Sequence, residues 1–495
     1  MQNWLEKRAF LTPERMALRC GETEWTFAEL RERARSTAGE LASRGAREGE
    51  RAAVLMRNGL PLAEIIHAMP YAGLTLVPLN TRLTVSELAY QVKDAEVSML
   101  ICDETNADKA ADICGIEDGI DVVTYRELSG IVEEPPALNE QLEMDAIHSV
   151  IYTSGTTGYP KGVMLSHANH WWSAIGSSLN LGLDRNDRWL AAVPLFHVSG
   201  LSILMRGVIY GIGVVIHESF DAARANRDII EQRITIMSVV GAMLSDMLEE
   251  LGDRSYPDTF RCMLLGGGPA PRVLLEQCKD RTIPVYQTYG MSETASQIAT
   301  LGPEYMLSKL GSAGKPLFPA ELKIVADGKE LPNGEVGEIV VKGPNVTNGY
   351  LNREADTNET IQEGWLYSGD LGYLDEDGFL YVLDRRKDLI VSGGENVYPA
   401  EVEAALLAHP EVADAGVTGV EDARWGAVPV GFVVMKAGAV FDEEQLLADC
   451  CGRLASYKVP RRLYEVPHLP RNASRKLLRR KLPDLRNELN DWRNV

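Results

Sequence analysis

No Cys-x-x-Cys pair occurs in this chain: seven cysteines are scattered over 495 residues, and only Cys450 and Cys451 lie close together. Scattered thiols in a long chain exclude a disulfide framework and fit a reducing compartment. Long apolar runs are missing too. The most membrane-like stretch, "GLSILMRGVIYGIGVVIHE", is broken by Arg206 and ends in His217 and Glu218, short of the roughly 18-residue span a bilayer requires. The opening "MQNWLEKRAFLTPER" lacks the basic-then-apolar pattern of a secretory signal, so a cytoplasmic location and no stable membrane insertion are expected. Positive charge is scarce, with 50 Lys and Arg against 71 Asp and Glu and a net charge of −21. That balance argues against general affinity for nucleic acid or anionic membrane. There are no internal repeats and no low-complexity tracts. A Walker-type phosphate loop, Gly-x4-Gly-Lys-[Ser/Thr], is also absent at the one place that invites the comparison, "IYTSGTTGYPKGVMLSH".

What is present is ordinary in bulk and informative in order. An apolar fraction of 45% and a charged fraction of 24% are those of a globular protein, and the length allows two to four domains. From about residue 50 to 290, apolar runs such as "RAAVLM", "LTLVPLN", "ITIMSVV" and "RCMLLGGG" alternate with helical stretches such as "DAARANRDIIEQR". This texture predicts an α/β domain built on a helix-covered, mostly parallel sheet. After Gly290, "AELKIVAD" and "GEIVVKGPNV" read as antiparallel strands of a smaller β subdomain. A boundary is expected near "VLDRRKDLIVSGG", dividing residues 1–385 from a small α+β module over 386–495. The last stretch, "YKVPRRLYEVPHLPRNASRKLLRRKL", is strongly basic: either a solvated surface segment or a cationic arm that closes over a polyanion.

The segment Thr153–Lys161 holds the ingredients of a phosphate site without the Walker spacing. Gly155 and Gly158 let backbone N–H groups approach an anion; Thr153, Ser154, Thr156 and Thr157 offer hydroxyl donors; Lys161 adds a point charge. Such a loop suits a pyrophosphate that must leave as well as bind.

"YTSGTTGYPKGV" resembles the signature of the acyl-adenylate-forming superfamily, which includes acyl- and aryl-CoA synthetases, peptide-synthetase adenylation domains and luciferases. Further motifs of that superfamily follow in order: "PLFHVSG", "LLGGGPAP", "YGMSET", "YSGD", "LDRRKDLIVSGGENVYP" and "LPRNASRK". The resemblance implies a large N-terminal adenylate-forming domain followed by a mobile C-terminal domain on a hinge at Lys387. It implies ATP and Mg²⁺, with coenzyme A as co-substrate. Ser292 would bond the α-phosphate and Glu293 would hold Mg²⁺, a hard cation suited to oxygen ligands. Tyr289 and Gly290 of the same motif belong to the nucleotide site. Gly266, Gly267, Gly268 and Pro269 would form the backbone wall against adenine. Asp370 and Arg385 would hold the ribose. Gly393 and Gly394 would line the channel for the CoA pantetheine.

Lys476 matches the lysine that bridges the reacting carboxylate and the α-phosphate, where it offsets charge gathering in the transition state. Many members carry Gly before this lysine; here the residue is Arg475. His197 would border the acyl pocket. His167 and His170, at i,i+3 spacing with no third ligand nearby, read as helix packing.

Several less general stretches, some extending the shared motifs, resemble one subgroup, the ligases that join CoA to 2-succinylbenzoate, an aromatic dicarboxylic acid of menaquinone biosynthesis: "SSLNLG", "DRWLAAVPLFHVSGLSILMRGVIYG", "LGSAGKPLF" and "LPRNASRKLLR". Another aryl- or fatty-acid:CoA ligase is the alternative. Arg206, the only charge between His197 and His217, would then meet the benzoate carboxylate directly or through water; the competing reading is a protein ion pair or a snorkelling side chain. A homo-oligomer is expected only from the family.

Overall fold

Three apolar runs become adjacent parallel strands, Ile236–Val240, Cys262–Gly266 and Val285–Met291, with Val240 opposite Gly266 and Leu265 opposite Gln287. The first two are buried except at their last residue, as expected for strands covered by helices on both faces, while Val285–Met291 alternates buried and half-buried positions. The computed structural model describes residues 1–117, 119–128, 137–153, 159–267, 272–384, 390–397, 399–470, 477 and 479–485. Expectations placed on Ser154, Gly155, Thr156, Thr157, Gly158, Gly268, Pro269, Arg385, Lys387 and Lys476 fall outside these residues.

Among the described residues the chain forms two units. The first comprises Met1–Thr81, Ala89–Tyr152 and Gly162–Leu383. It holds a 15-stranded sheet and a 6-stranded sheet. In the large sheet the three parallel strands continue through Arg188–Ala191 and Gly213–Ile216 on one side. On the other, Ser296–Leu301 runs antiparallel to Val285–Met291 and leads into the expected antiparallel region, where Glu321–Ala326 pairs with Gly337–Lys342. The 6-stranded sheet includes Arg51–Leu55, Thr75–Pro78 and Ile147–Thr153.

Helix starts are encoded locally. Thr26 and Glu29 form a reciprocal capping box at helix Phe27–Ser43, and Ser166 and Asn169 form another at helix His167–Leu181. Helix Leu60–Ala72 opens with Pro61 at a position whose N–H needs no partner and ends on Gly73 in the left-handed region. No helix among the described residues is long and apolar enough to cross a membrane.

The second unit starts at Asp384 and also takes in Arg82–Leu88 and Thr153–Lys161, segments that chain order alone assigns to the first. Its sheet pairs Val412–Asp422 with Gly426–Met435 in a long hairpin, flanked by Ile390–Ser392 and Glu395–Val397. Within it the Lys458 ammonium, 4% exposed, donates to Glu401 Oε1 at 2.7 Å, and Arg479 pairs with Glu403 at 2.6 Å.

Candidate active site

The carboxyl ends of the parallel strands are where an open α/β sheet presents a ligand site. Strand Cys262–Gly266 delivers Gly266 and Gly267 there, half-buried, with Gly267 at φ 90°. Strand Val285–Met291 delivers Tyr289, Gly290 and then Ser292 and Glu293. Gly290 is required by close packing, since a Cβ there would fall 1.9 Å from the Ser296 carbonyl oxygen. The turn after it is held tightly. Met291 N–H donates to Thr294 Oγ1 at 3.0 Å, Thr294 Oγ1 donates to Ser296 O at 2.7 Å, and Asn345 Nδ2 donates to Thr294 O at 3.0 Å. Ala295 and Ser296 lie at φ 50° and 111°, and an L-residue so placed stores on the order of 1–3 kcal/mol. That strain sits directly beside the hydroxyl of Ser292 and the carboxylate of Glu293.

Glu293 is half-buried and anchored from a distance. Its Oε1 accepts from the Tyr350 hydroxyl at 3.0 Å, and its carbonyl accepts from Thr347 N–H at 2.8 Å. One carboxylate on a rigid turn beside a serine hydroxyl suits Mg²⁺, which takes one or two protein oxygens and fills its remaining positions with water and phosphate.

Asp370 is 6% exposed and lies on strand Trp365–Leu374, whose alternating burial places Leu366, Ser368, Asp370 and Gly372 on the inward face. Its carboxylate accepts from the Tyr289 hydroxyl at 2.7 Å, and Ser368 Oγ accepts from its N–H at 3.1 Å. The structure thus joins Tyr289 and Asp370, two residues the motifs place in one nucleotide site.

His197 is the cap residue of helix Val198–Tyr210, in extended conformation, with its ring 4.6 Å from that of Phe196. Asn58 fixes this corner, accepting from Leu195 N–H at 2.9 Å and donating to Val193 O at 3.0 Å and His217 O at 3.3 Å. Nothing in the sequence near Asn58 signals that role, because its partners lie 135 or more residues away.

Arg206 follows His197 by nine residues, about 13 Å along the helix axis, with a side chain that leans back toward the helix start. It is 2% exposed. Its guanidinium lies 5.3 Å from the Trp189 ring, and His170, Tyr210 and Cys262 are its electrostatic neighbours. Nε and Nη2 have no hydrogen-bond partner among the described residues, and burial lowers the pKa. Among the described residues, therefore, no carboxylate hydrogen-bonds these two buried nitrogens.

In the second unit, Gly393 and Gly394 form the two-residue turn of hairpin Ile390–Ser392 and Glu395–Val397, at φ 58° and 85°. Two positive φ values make a primed turn, which by itself calls for glycine. A Cβ on Gly393 would also fall 2.6 Å from the Trp425 ring. Thr153 ends strand Ile147–Thr153 and Lys161 opens strand Lys161–Ser166; both are half-buried.

His167 and His170 point into the protein, as packing residues do. With His148 they form a ring cluster, with centroids 5.1 Å and 4.7 Å from His148, and His170 Nε2 lies 3.0 Å from Ser149 Oγ.

Comparison with known proteins settles the ancestry of this arrangement. Residues 5–351 match the model of AMP-binding enzymes, and residues 401–476 match that of the AMP-binding enzyme C-terminal domain. The chain belongs to the AMP-binding enzyme family. Within that family it is 57% identical over 483 residues to a 2-succinylbenzoate–CoA ligase of Geobacillus sp. (strain WCH70), covering 98% of this chain and 97% of that one. It is 58% identical over 486 residues to the ligase of that name from Geobacillus kaustophilus (strain HTA426), covering 98% of each. Among solved AMP-binding structures, a double mutant of o-succinylbenzoate CoA synthetase from Bacillus subtilis, bound to a product analogue, superposes with a TM-score of 0.94 at 47% identity over 98% of each chain. The Bacillus subtilis enzyme in complex with ATP and magnesium ion gives 0.76 at 47% identity, covering 98% of this chain and 100% of that one.

Proposed function

We propose that this AMP-binding enzyme is an acid–thiol ligase that joins 2-succinylbenzoate to coenzyme A through an acyl-adenylate, releasing AMP and pyrophosphate, as a step of menaquinone biosynthesis. Full-length identity of 57–58% to ligases of that name supports the reading. The observation that carries it is Arg206. Its buried Nε and Nη2, without a hydrogen-bond partner among the described residues, are costly unless an anion joins them. A monocarboxylic acid consumes its only carboxylate in forming the adenylate. A dicarboxylic acid brings a second one, and the role assigned to Arg206 is to receive it directly or through water.

In the first half-reaction the substrate carboxylate oxygen attacks the α-phosphorus of ATP, and the bond to the β,γ-pyrophosphate breaks. Thr153, Ser154, Gly155, Thr156, Thr157, Gly158 and Lys161 hold the departing phosphates. Ser292 bonds the α-phosphate, and His197 borders the carboxylate. Gly266, Gly267, Gly268, Pro269 and Gly290 provide the close-packed walls for the base, while Asp370, steadied by Tyr289, and Arg385 hold the ribose. Lys476 draws the two anions together. Glu293 would hold Mg²⁺, which supplies positive charge to the phosphates when bound.

In the second half-reaction the CoA thiolate attacks the acyl carbon and AMP leaves. The C-terminal module, residues 386–495, turns about Lys387 between the two steps. It then presents the Gly393–Gly394 turn to the pantetheine. The location proposed for this chemistry is the cytoplasm.

The test is pyrophosphate release across a panel of acids, with and without CoA. Turnover confined to 2-succinylbenzoate, completed to thioester only with CoA, is expected. Strong turnover of a simple fatty or cinnamic acid would overturn the assignment.

A further inference from the structure

Helix Val198–Tyr210 is mostly apolar; Ser202 Oγ bonds back to Ser199 O within it, and the Tyr210 hydroxyl donates to Ala174 O, so few side-chain bonds fix its position along its own axis. Its start is fixed by Asn58 through the Val193–Leu195 corner. Its end is fixed by residues from the opposite end of the chain. Arg8 Nε donates to Val208 O at 2.8 Å, and Arg8 Nη2 donates to Ile209 O at 2.7 Å. Arg15 Nη1 donates to Gly211 O at 2.8 Å. These carbonyls belong to the last turn and cap of the helix, which no intrahelical N–H can satisfy. Two cations there also match the negative end of the helix dipole. Gly211, in the left-handed region at φ 75°, leaves space for the contact, because a Cβ there would fall 2.5 Å from Arg8 Nη1.

Arg8 is itself held on a firm base. Its helix, Trp4–Leu11, is capped by the Asn3 side chain, and Asn3 N–H donates to Glu140 O at 2.8 Å. Glu6 on the same helix accepts from the Tyr71 hydroxyl at 3.0 Å and pairs with Arg35 at 3.2 Å. The two carbonyls that Arg8 grips follow Arg206 by two and three residues. A shift of this cap along the axis would move the Arg206 guanidinium by nearly the same amount.

We infer that Arg8 is a positioning residue for recognition of the acid: by holding the carboxyl end of helix Val198–Tyr210 it sets the depth of Arg206 against the second carboxylate. This inference rests on the proposed role of Arg206 and names a residue outside every nucleotide and acid motif. An Arg fork grips two successive carbonyls where Lys can grip one.

Steady-state kinetics of Arg8→Ala, Arg8→Lys, Arg206→Ala and the double variant Arg8→Ala/Arg206→Ala test it. Arg8→Ala is expected to raise KM for 2-succinylbenzoate about tenfold while leaving KM for ATP and kcat within about twofold, since small misplacements of a positioning group carry effects of this size. Arg8→Lys should recover part of the loss, and Arg8→Ala should add nothing once Arg206 is alanine. If the alanine variant does not accumulate in folded form, Arg8→Gln, which keeps an amide donor, carries the same comparison. Parallel loss of kcat and both KM values, or additive effects in the double variant, would overturn the inference. If Arg206→Ala raises KM for the acid and Arg8→Ala does not, the role of Arg8 falls and that of Arg206 stands. If Arg206→Ala leaves KM for the acid unchanged, both fall.

Discussion

The Tyr289 hydroxyl donates to the Asp370 carboxylate at 2.7 Å, joining the strand that carries the "YGMSET" motif to the one that carries "YSGD". Both residues are buried, so the bond holds the carboxylate with little competition from water, as the proposed ribose role requires. Removing the hydroxyl keeps the ring and frees the carboxylate. Tyr289→Phe should therefore raise KM for ATP by about tenfold or more, the worth of one hydrogen bond to a charged group, with KM for the acid unchanged. Steady-state kinetics with each substrate varied in turn would show it. An equal rise for both substrates would speak against a ribose role for Asp370.

Glu293 and Tyr350 form a second such pair at 3.0 Å. Glu293→Gln removes the charge that suits a hard cation. Pyrophosphate release should fall by about 100-fold or more, with a higher Mg²⁺ concentration needed for half-activation. Tyr350→Phe should raise the Mg²⁺ requirement by a smaller factor. Titration of Mg²⁺ at fixed ATP separates the two. An unchanged requirement in Glu293→Gln would remove the metal role.

In the proposed mechanism Lys476 serves adenylation alone, so its substitution should separate the two half-reactions. Lys476→Ala should lower adenylate formation by about 100-fold or more. The variant should still convert supplied acyl-adenylate and CoA to thioester. Equal loss of both would sink the assignment.

Burial, reinforced for His148, His167 and His170 by neighbouring charge, sets a limit on acid stability. It holds His67 and His167 at about 4 and His170 at about 3, and it pushes His148 well below the ordinary imidazole range. The sign follows from proton binding. Below about pH 6.5 an unfolded histidine takes a proton that these four refuse until far lower pH, so acid favours unfolding. Melting temperature should be flat above about pH 7 and fall progressively from about pH 6.5 toward pH 4. His170→Gln should flatten that slope even if it lowers the plateau. An unchanged slope would show that the cluster is not the origin.

Much of the fold could be read from the chain because it depends on short-range pattern. Apolar runs separated by amphipathic helices became the parallel sheet, and "AELKIVAD" with "GEIVVKGPNV" became an antiparallel pair. The nucleotide motifs were legible for the same reason: glycine, hydroxyl and carboxylate must follow at fixed spacing where a strand ends. Gly393 and Gly394 show the limit of that reading. Their spacing draws attention to a ligand channel, yet the primed turn and Trp425 already account for glycine at both positions.

By itself, then, the sequence determined the parallel α/β core, the antiparallel region and the family of chemistry, because each is encoded in neighbours along the chain. Tertiary structure alone decided which distant groups complete those motifs. It brought Asn58 to the His197 corner, Tyr350 to Glu293, and Arg8 to the end of the helix that carries Arg206. Among the described residues it also left Arg206 Nε and Nη2 buried without a hydrogen-bond partner. Such contacts depend on how strands and helices pack across 57 to 200 residues, and a linear pattern carries no record of that packing.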